Sequence, residues 1–252
     1  MVKPSTSQRS PLSPTRWPTD AFLWTRSLIA FAIIATAFIL GQIFEAFIAG
    51  ALGTSRADLL AAHLTWGIAI GQYASYLPLV AVIVIVLPWL ARRSLHDLGL
   101  DAITPRILGT GIGGAVAMYA VTIGAAQLQL VLTHQKPEET ALTLFQSAHD
   151  PGLVIAFGAL AAVAAPIAEE LVFRGFLFNA ILRYTPMWLA AAISGALFGL
   201  SHGSLSAALP LAGAGVVLAY VYYTSGSLTA AMVTHGLFNL INVLLIAFFK
   251  VS

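Results

Sequence analysis

The chain has 252 residues, 59% of them hydrophobic and 9% charged, where an average soluble domain carries about 25% charged residues; with a mean hydropathy of +0.88, this excludes a water-soluble globule and marks an integral membrane protein. A net charge of +2 without a dense Lys/Arg tract excludes nucleic acid as a partner. The lack of cysteine excludes disulfides, thiolate metal ligands and a cysteine nucleophile.

Residues 1–20 are rich in Ser, Thr and Pro and carry Lys3, Arg9 and Arg16, a composition that reads as a flexible basic tail. The remainder, 21–252, reads as one transmembrane domain. Its apolar runs, 22–49, 67–89, 107–132, 152 to about 182, 187–201, 206–223 and 228–249, approach or exceed the roughly 20 residues needed to cross the hydrocarbon. They are continuous, without the alternation of a membrane β-barrel. The expected fold is all-α, a polytopic bundle of seven to eight spans.

Lys3, Arg9, Arg16 and Arg26 precede the first run and Arg92, Arg93 and Arg106 separate the second from the third, so the N-terminus is expected to be cytoplasmic, with a bacterial inner membrane as the expected location. The loop at 132–151 then lies on the other side, with room for a short amphipathic helix over 138–149 around Leu142 and Phe145. Trp17, Trp24, Trp89 and Trp188 fall at span ends, as interfacial anchors do. Gly109, Gly111 and Gly114 spell G-x-G-x-x-G inside an apolar span, where no strand can precede them. Close packing at Gly109/Gly113 and Gly195/Gly199 is the expectation there. Gly199, Ser201 and Gly203 match G-x-S-x-G, but a helix in the bilayer does not supply the strand-to-helix elbow which that motif requires.

The apolar C-terminal half contains three polar clusters: Glu169, Glu170 and Arg174; Phe198 with His202; and His235 with Asn239. A charge at the bilayer centre costs about 2.5–3.5 kcal/mol on the most lenient scale, so these groups need partners or a task. Glu170 and Arg174 are four apart and share a helical face, which suits a structural ion pair. Glu169 is rotated about 100° away and is left available. From the turn near 184–186, Glu169 lies about 14 residues back and His202 about 15 forward, which at 1.5 Å per residue puts both roughly 21–23 Å up an antiparallel hairpin. His235 and Asn239 project together from the last span, and kinks at Pro166 and Pro210 help the three spans converge. A glutamate beside histidines suits hydrolysis, the carboxylate taking a proton from water while the imidazoles bind a metal or hold the water and the oxyanion.

These residues resemble the CAAX protease and bacteriocin-processing family, which includes the CAAX prenyl endopeptidases, through its Glu-Glu-x-x-x-Arg, Phe-x-x-x-His and His-x-x-x-Asn motifs on successive helices of a core at about 152–249. The resemblance implies an intramembrane endopeptidase acting on a peptide or protein in or near the lipid. In it Glu169 activates water with His202, His235 and Asn239 complete the site, and Glu170, Arg174 and Phe198 support it. It leaves open whether Zn2+ or another divalent ion held by Glu169, His202 and His235 takes part or the glutamate acts unaided.

Two rivals use the same residues differently: a transporter with a buried Glu/His/Arg relay, against which the chain shows no internal repeat, and a non-catalytic scaffold in which the network packs helices. There is no H-E-x-x-H. Glu45, near the end of the first span, is expected to snorkel to the interface, with an intramembrane proton or substrate group as its rival reading. Asn179 and Asn242 are expected to bond between helices.

Overall fold

A computed structural model describes residues 24–86, 98–137 and 140–249. The basic residues at positions 3, 9, 16, 92 and 93, Trp17, Trp89, and the start of the helix expected at 138 lie outside the described residues. Among those described there is no strand. The helices are α1 (Trp24–Ala51), α2 (Arg56–Leu60), α3 (Trp66–Ala81, continued by a π-helical turn Val82–Val86), α4 (Pro105–Thr133), α5 (Thr140–Gln146), α6 (Pro151–Leu182), α7 (Met187–Ser201), α8 (Ala208–Ser225) and α9 (Leu228–Phe249). Among the described residues six helices are long and apolar enough to cross a membrane, and α7 is a shorter apolar helix. Each coincides with one of the seven expected runs.

Because the solvent of these helices is lipid, burial does not follow polarity. Phe47, Ile85, Val131, Leu132 and Ile155 point outward, whereas Ala190, Ala214, Ala219, Ala230, Ser194, Thr234, Glu170 and Arg174 are fully enclosed. A Cβ on Gly195 would stand 2.7 Å from the Ala212 carbonyl, and Gly199 meets the carbonyl of Ala208, so α7 and α8 cross backbone to backbone as expected. The Gly109/Gly113 expectation fails: both glycines face open space, and Gly111 and Gly114 make the close approach, against Val233 and Thr234 of α9. Two residues along a helix turn the side chain by about 200°.

Pro105 and Pro151 stand at N1 behind the capping side chains of Thr104 and Asp150, the position where the missing N–H costs nothing. α5 is shorter than expected, with Phe145 buried. Asn179 bonds the Tyr222 hydroxyl of α8 at 3.0 Å, and Asn242 accepts from Tyr119 of α4 at 2.7 Å, which are the interhelical bonds expected of them.

In space α1 packs on α3, α7 on α8, and α4 on α8 and α9, while α6 runs between α3 and these C-terminal helices. The 15 residues of α7 rise only about 22 Å, short of a hydrocarbon core of about 30 Å. The polar loop after it, from His202 to Ala207, is therefore sunk beside longer neighbours, a placement tolerated only where the backbone lines a cavity or packs on protein. Gln129 of α4 bonds the Ser206 carbonyl at 2.6 Å and ties that loop in place.

Candidate active site

α6 is not a regular helix. It passes through π turns at Leu160–Ala164 and Leu171–Phe178, with the six α-helical residues Ala165–Glu170 between them. Such bulges occur mostly at functional sites. The i→i+5 pattern would give the Ala161 carbonyl to residue 166, but Pro166 has no N–H. Asn239 of α9 fills the gap, its Nδ2 donating to the Ala161 oxygen at 2.8 Å. Gly236, one turn earlier, lies against the Ala162 carbonyl, where a Cβ would come within 2.7 Å. The amide orientation of Asn239 is fixed by this contact, since a carbonyl only accepts, and one of its two N–H groups is spent on holding the broken helix.

The two glutamates separate as expected. Glu170 is fully buried, and its Oε1 accepts from Arg174 at 2.8 Å and from Nδ1 of His235 at 3.0 Å. Arg174, also fully buried, donates its other terminal nitrogen to the Gly215 carbonyl at 2.8 Å and lies 4.9 Å over the Phe198 ring. Glu169 turns to the other side, into a cavity of about 840 Å³ that it lines together with His202, His235 and Asn239. Its Oε2 stands 4.0 Å from Nε2 of His202 and 3.9 Å from Nε2 of His235. That oxygen is sealed from solvent and has no hydrogen-bond partner among the described residues.

The imidazole tautomers follow from their second nitrogens. Nδ1 of His202 lies 2.8 Å from the carbonyl oxygen of Phe198 and must carry the proton there; Nδ1 of His235 faces Glu170 and, against an ionised carboxylate, donates as well. In the neutral rings both Nε2 lone pairs are thus presented toward Glu169. The Phe-x-x-x-His spacing gains a reason: the Phe198 carbonyl orients His202, and its ring packs edge-on against His202 at 4.7 Å and His235 at 5.6 Å between centroids.

Two further residues line the wall: Tyr76, which sequence reasoning does not single out, and Glu45, whose rival reading is an intramembrane proton or substrate group. Tyr76 of α3 donates its hydroxyl to Glu169 Oε1 at 3.1 Å, bringing the N-terminal half into the site. Glu45 does not snorkel to the interface: it lines the cavity, and its Oε2 is enclosed without a partner among the described residues.

The donor set expected for a metal, Glu169, His202 and His235, would have to draw together slightly to hold one. Two bonds of about 2.0–2.2 Å at a tetrahedral angle bring donor atoms closer than the 3.9 and 4.0 Å found here. Among the described residues no three His, Asp or Glu are grouped as ligands of one ion.

A family model, Type II CAAX prenyl endopeptidase Rce1-like, matches residues 151–241, the stretch from α6 into α9 that holds Glu169, Glu170, Arg174, Phe198, His202, His235 and Asn239. The chain is 24% identical over 166 residues to a protein of Bacillus subtilis (strain 168) named "Putative membrane peptidase YdiL"; the match covers 66% of each chain, slightly under two thirds of that relative. No solved structure matches. The three motifs thus converge on one buried carboxylate, and the stretch that is similar to the CAAX prenyl endopeptidases spans all of them.

Proposed function

We propose that the chain is an intramembrane endopeptidase in which Glu169 is the general base and His202 and His235 hold the attacking water and the developing oxyanion. One observation carries the reading. Glu169 Oε2 is buried without a partner and stands 3.9–4.0 Å from two imidazole Nε2 atoms, too far for direct bonds and the spacing that one bridging water satisfies.

Such a water gives one proton to Glu169 as its oxygen adds to the scissile carbonyl. The oxyanion is met by His235 and by the second N–H of Asn239. His235 enters the cycle already protonated at Nε2, with Glu170 balancing that charge at Nδ1, and keeps that proton throughout; the water therefore accepts from His235 and donates to Glu169 and His202. The C–N bond then breaks, and the leaving amine takes the proton held by Glu169, which returns the carboxylate to its starting state. The apolar cavity walls exclude bulk water, and the sunken end of α7 gives water a route to His202. No step in this scheme requires an ion. Membrane lipid and a peptide segment lying in or near it are the partners, and the basic residues before α1 support a bacterial inner membrane with the N-terminus in the cytoplasm.

The test compares new peptide termini in membranes from cells carrying the parent chain and the Glu169→Gln variant. Cleavage is expected to fall by about 100- to 10,000-fold, with the thermal midpoint of the purified variant unchanged and with chelators altering the parent rate less than about two-fold. Normal cleavage by the folded variant overturns the base assignment; loss of activity on chelation, restored by one divalent ion, overturns the unaided scheme.

A further inference from the structure

We propose that Glu45, with the amide oxygens of Gln42 and Gln72, forms a cation subsite in the substrate cavity. It takes the lysine or arginine side chain of a peptide about two residues from the scissile bond. This rests on the endopeptidase reading and names the substrate feature that the cavity selects.

The position of Glu45 is the first argument. α1 and α3 meet along a stripe of small residues, with Gly41 against Ser75, residue 45 against Gly71, and Ala49 against Gly67. A Cβ would come within 2.5 Å of the Ser75 oxygen at Gly41, 2.8 Å of the Glu45 oxygen at Gly71 and 2.8 Å of the Ala49 oxygen at Gly67. Packing asks residue 71 to be small so that the Glu45 backbone can approach it, and position 45 carries a carboxylate, at a cost in a helix long and apolar enough to cross a membrane.

The second argument is where that carboxylate goes. Its Cγ lies 3.2 Å from the Cβ position of Gly71, so the side chain leaves the interface sideways into the cavity, where Oε2 is enclosed and unpartnered among the described residues. Gln42, Gln72 and Ser75 line the same wall. Gln72 spends its Nε2 on the Ser75 hydroxyl at 3.3 Å, which leaves its amide oxygen as an acceptor. Among the described residues no lysine or arginine lines the cavity, whose acidic groups are Glu45 and Glu169. An ammonium or guanidinium group has only donors to offer, and the Glu45 carboxylate with the Gln72 amide oxygen gives it acceptors in this wall.

The third argument is distance. Tyr76, which holds Glu169, follows Gln72 by one helical turn, and Gly71, level with Glu45, lies five residues before Tyr76, a rise of about 7.5 Å. An extended peptide covers that in roughly two residues.

The experiment uses the full chain with Glu169→Gln, so that Glu45 is the charged carboxylate facing the cavity and nothing is cleaved, in phosphatidylcholine nanodiscs, whose lipid has no free amine. Two fluorescent apolar octapeptides, identical but for a central lysine or norleucine, are titrated. The lysine peptide is expected to bind at least about ten-fold more tightly. That preference should shrink to within about two-fold when Glu45→Gln is added, and by a smaller factor with Gln72→Leu. Equal affinity for the two peptides, or a lysine preference that survives Glu45→Gln, overturns the proposal. Mass spectrometry confirms that both peptides are intact at the end of each titration, and cleavage-resistant N-methylated peptides replace them if they are not, so failure of the Glu169 assignment in the cleavage test leaves this measurement decisive on its own.

Discussion

Glu170 in α6 and Glu45 in α1 are both carboxylates held at membrane depth, and the bundle treats them in opposite ways. Around Glu170 the C-terminal helices supply Arg174 and His235 to a single oxygen at 2.8 and 3.0 Å, and Phe198 and the Gly215 carbonyl complete the surroundings of the arginine. Around Glu45 the α1–α3 pair supplies glycine, glutamine and serine, and no cation among the described residues. A charge satisfied within the protein fixes geometry; a charge satisfied by nothing in the wall is available to a ligand. On the proposed reading the contrast divides labour across the cavity, with chemistry held rigidly on the C-terminal side and recognition left to the N-terminal side.

The sharpest way to break this comparison is to unpair each carboxylate and measure unfolding in detergent. Arg174→Leu strands Glu170 in a closed site and is expected to cost about 3–5 kcal/mol. Glu45→Gln removes a charge that no described residue neutralises and is expected to change stability by no more than about 0.5 kcal/mol. Similar losses in the two variants would show that Glu45 has a structural partner and that the two sides are alike.

A smaller effect is expected where the two sides touch. Tyr76 holds Glu169 from α3, and a hydrogen bond to a charged group is worth about 1.5–3 kcal/mol. Tyr76→Phe should therefore lower kcat by roughly ten-fold while leaving KM and the thermal midpoint near parent values. A rise in KM at constant kcat would instead make Tyr76 part of the recognition wall, and the division would have to be redrawn with α3 wholly on the binding side.

The spans and the C-terminal chemistry were legible in the sequence because the bilayer penalises exceptions: only long apolar runs cross it, and Glu169, Glu170, Arg174, His202 and His235 stand out against such runs. What stayed hidden depended on rotation about a helix axis. Glu45 is close enough to the end of α1 to read as snorkelling, and only the contact of Gly71 with its backbone shows that its side chain is turned inward. Gly109 and Gly113 have the spacing of a packing motif but the wrong phase, and α9 meets Gly111 and Gly114. Tyr76 carries no burial penalty large enough to mark it, and its partner is 93 residues away. The use of Asn239 was partly readable, since Pro166 announces a carbonyl without a donor, though not which side chain would reach it.

The smallest expected effect tests whether the recognition wall depends on its outer turn. Ser55 caps α2 between α1 and α3, and its backbone N–H and hydroxyl donate to Asp58 at 2.8 and 2.6 Å. These bonds hold the Asp58 carboxyl below its ordinary range. A depressed carboxyl adds stability that is fully present above its unfolded value of about 3.9 and is lost as pH falls through the lower folded value. Acidification toward pH 3, or Asp58→Asn at neutral pH, should speed amide exchange over Arg56–Leu60 while exchange in α1 and α3 stays unchanged. The stripe from Gly41 to Ala49 is held by backbone contact with α3, and its bond toward this segment, from the Thr54 N–H to the Ala49 oxygen at 2.9 Å, lies outside the Ser55–Asp58 cap. Faster exchange spreading into α3 under either condition would mean that the turn clamps the wall, and that recognition at Glu45 depends on the outer turn as well as on the helix pair.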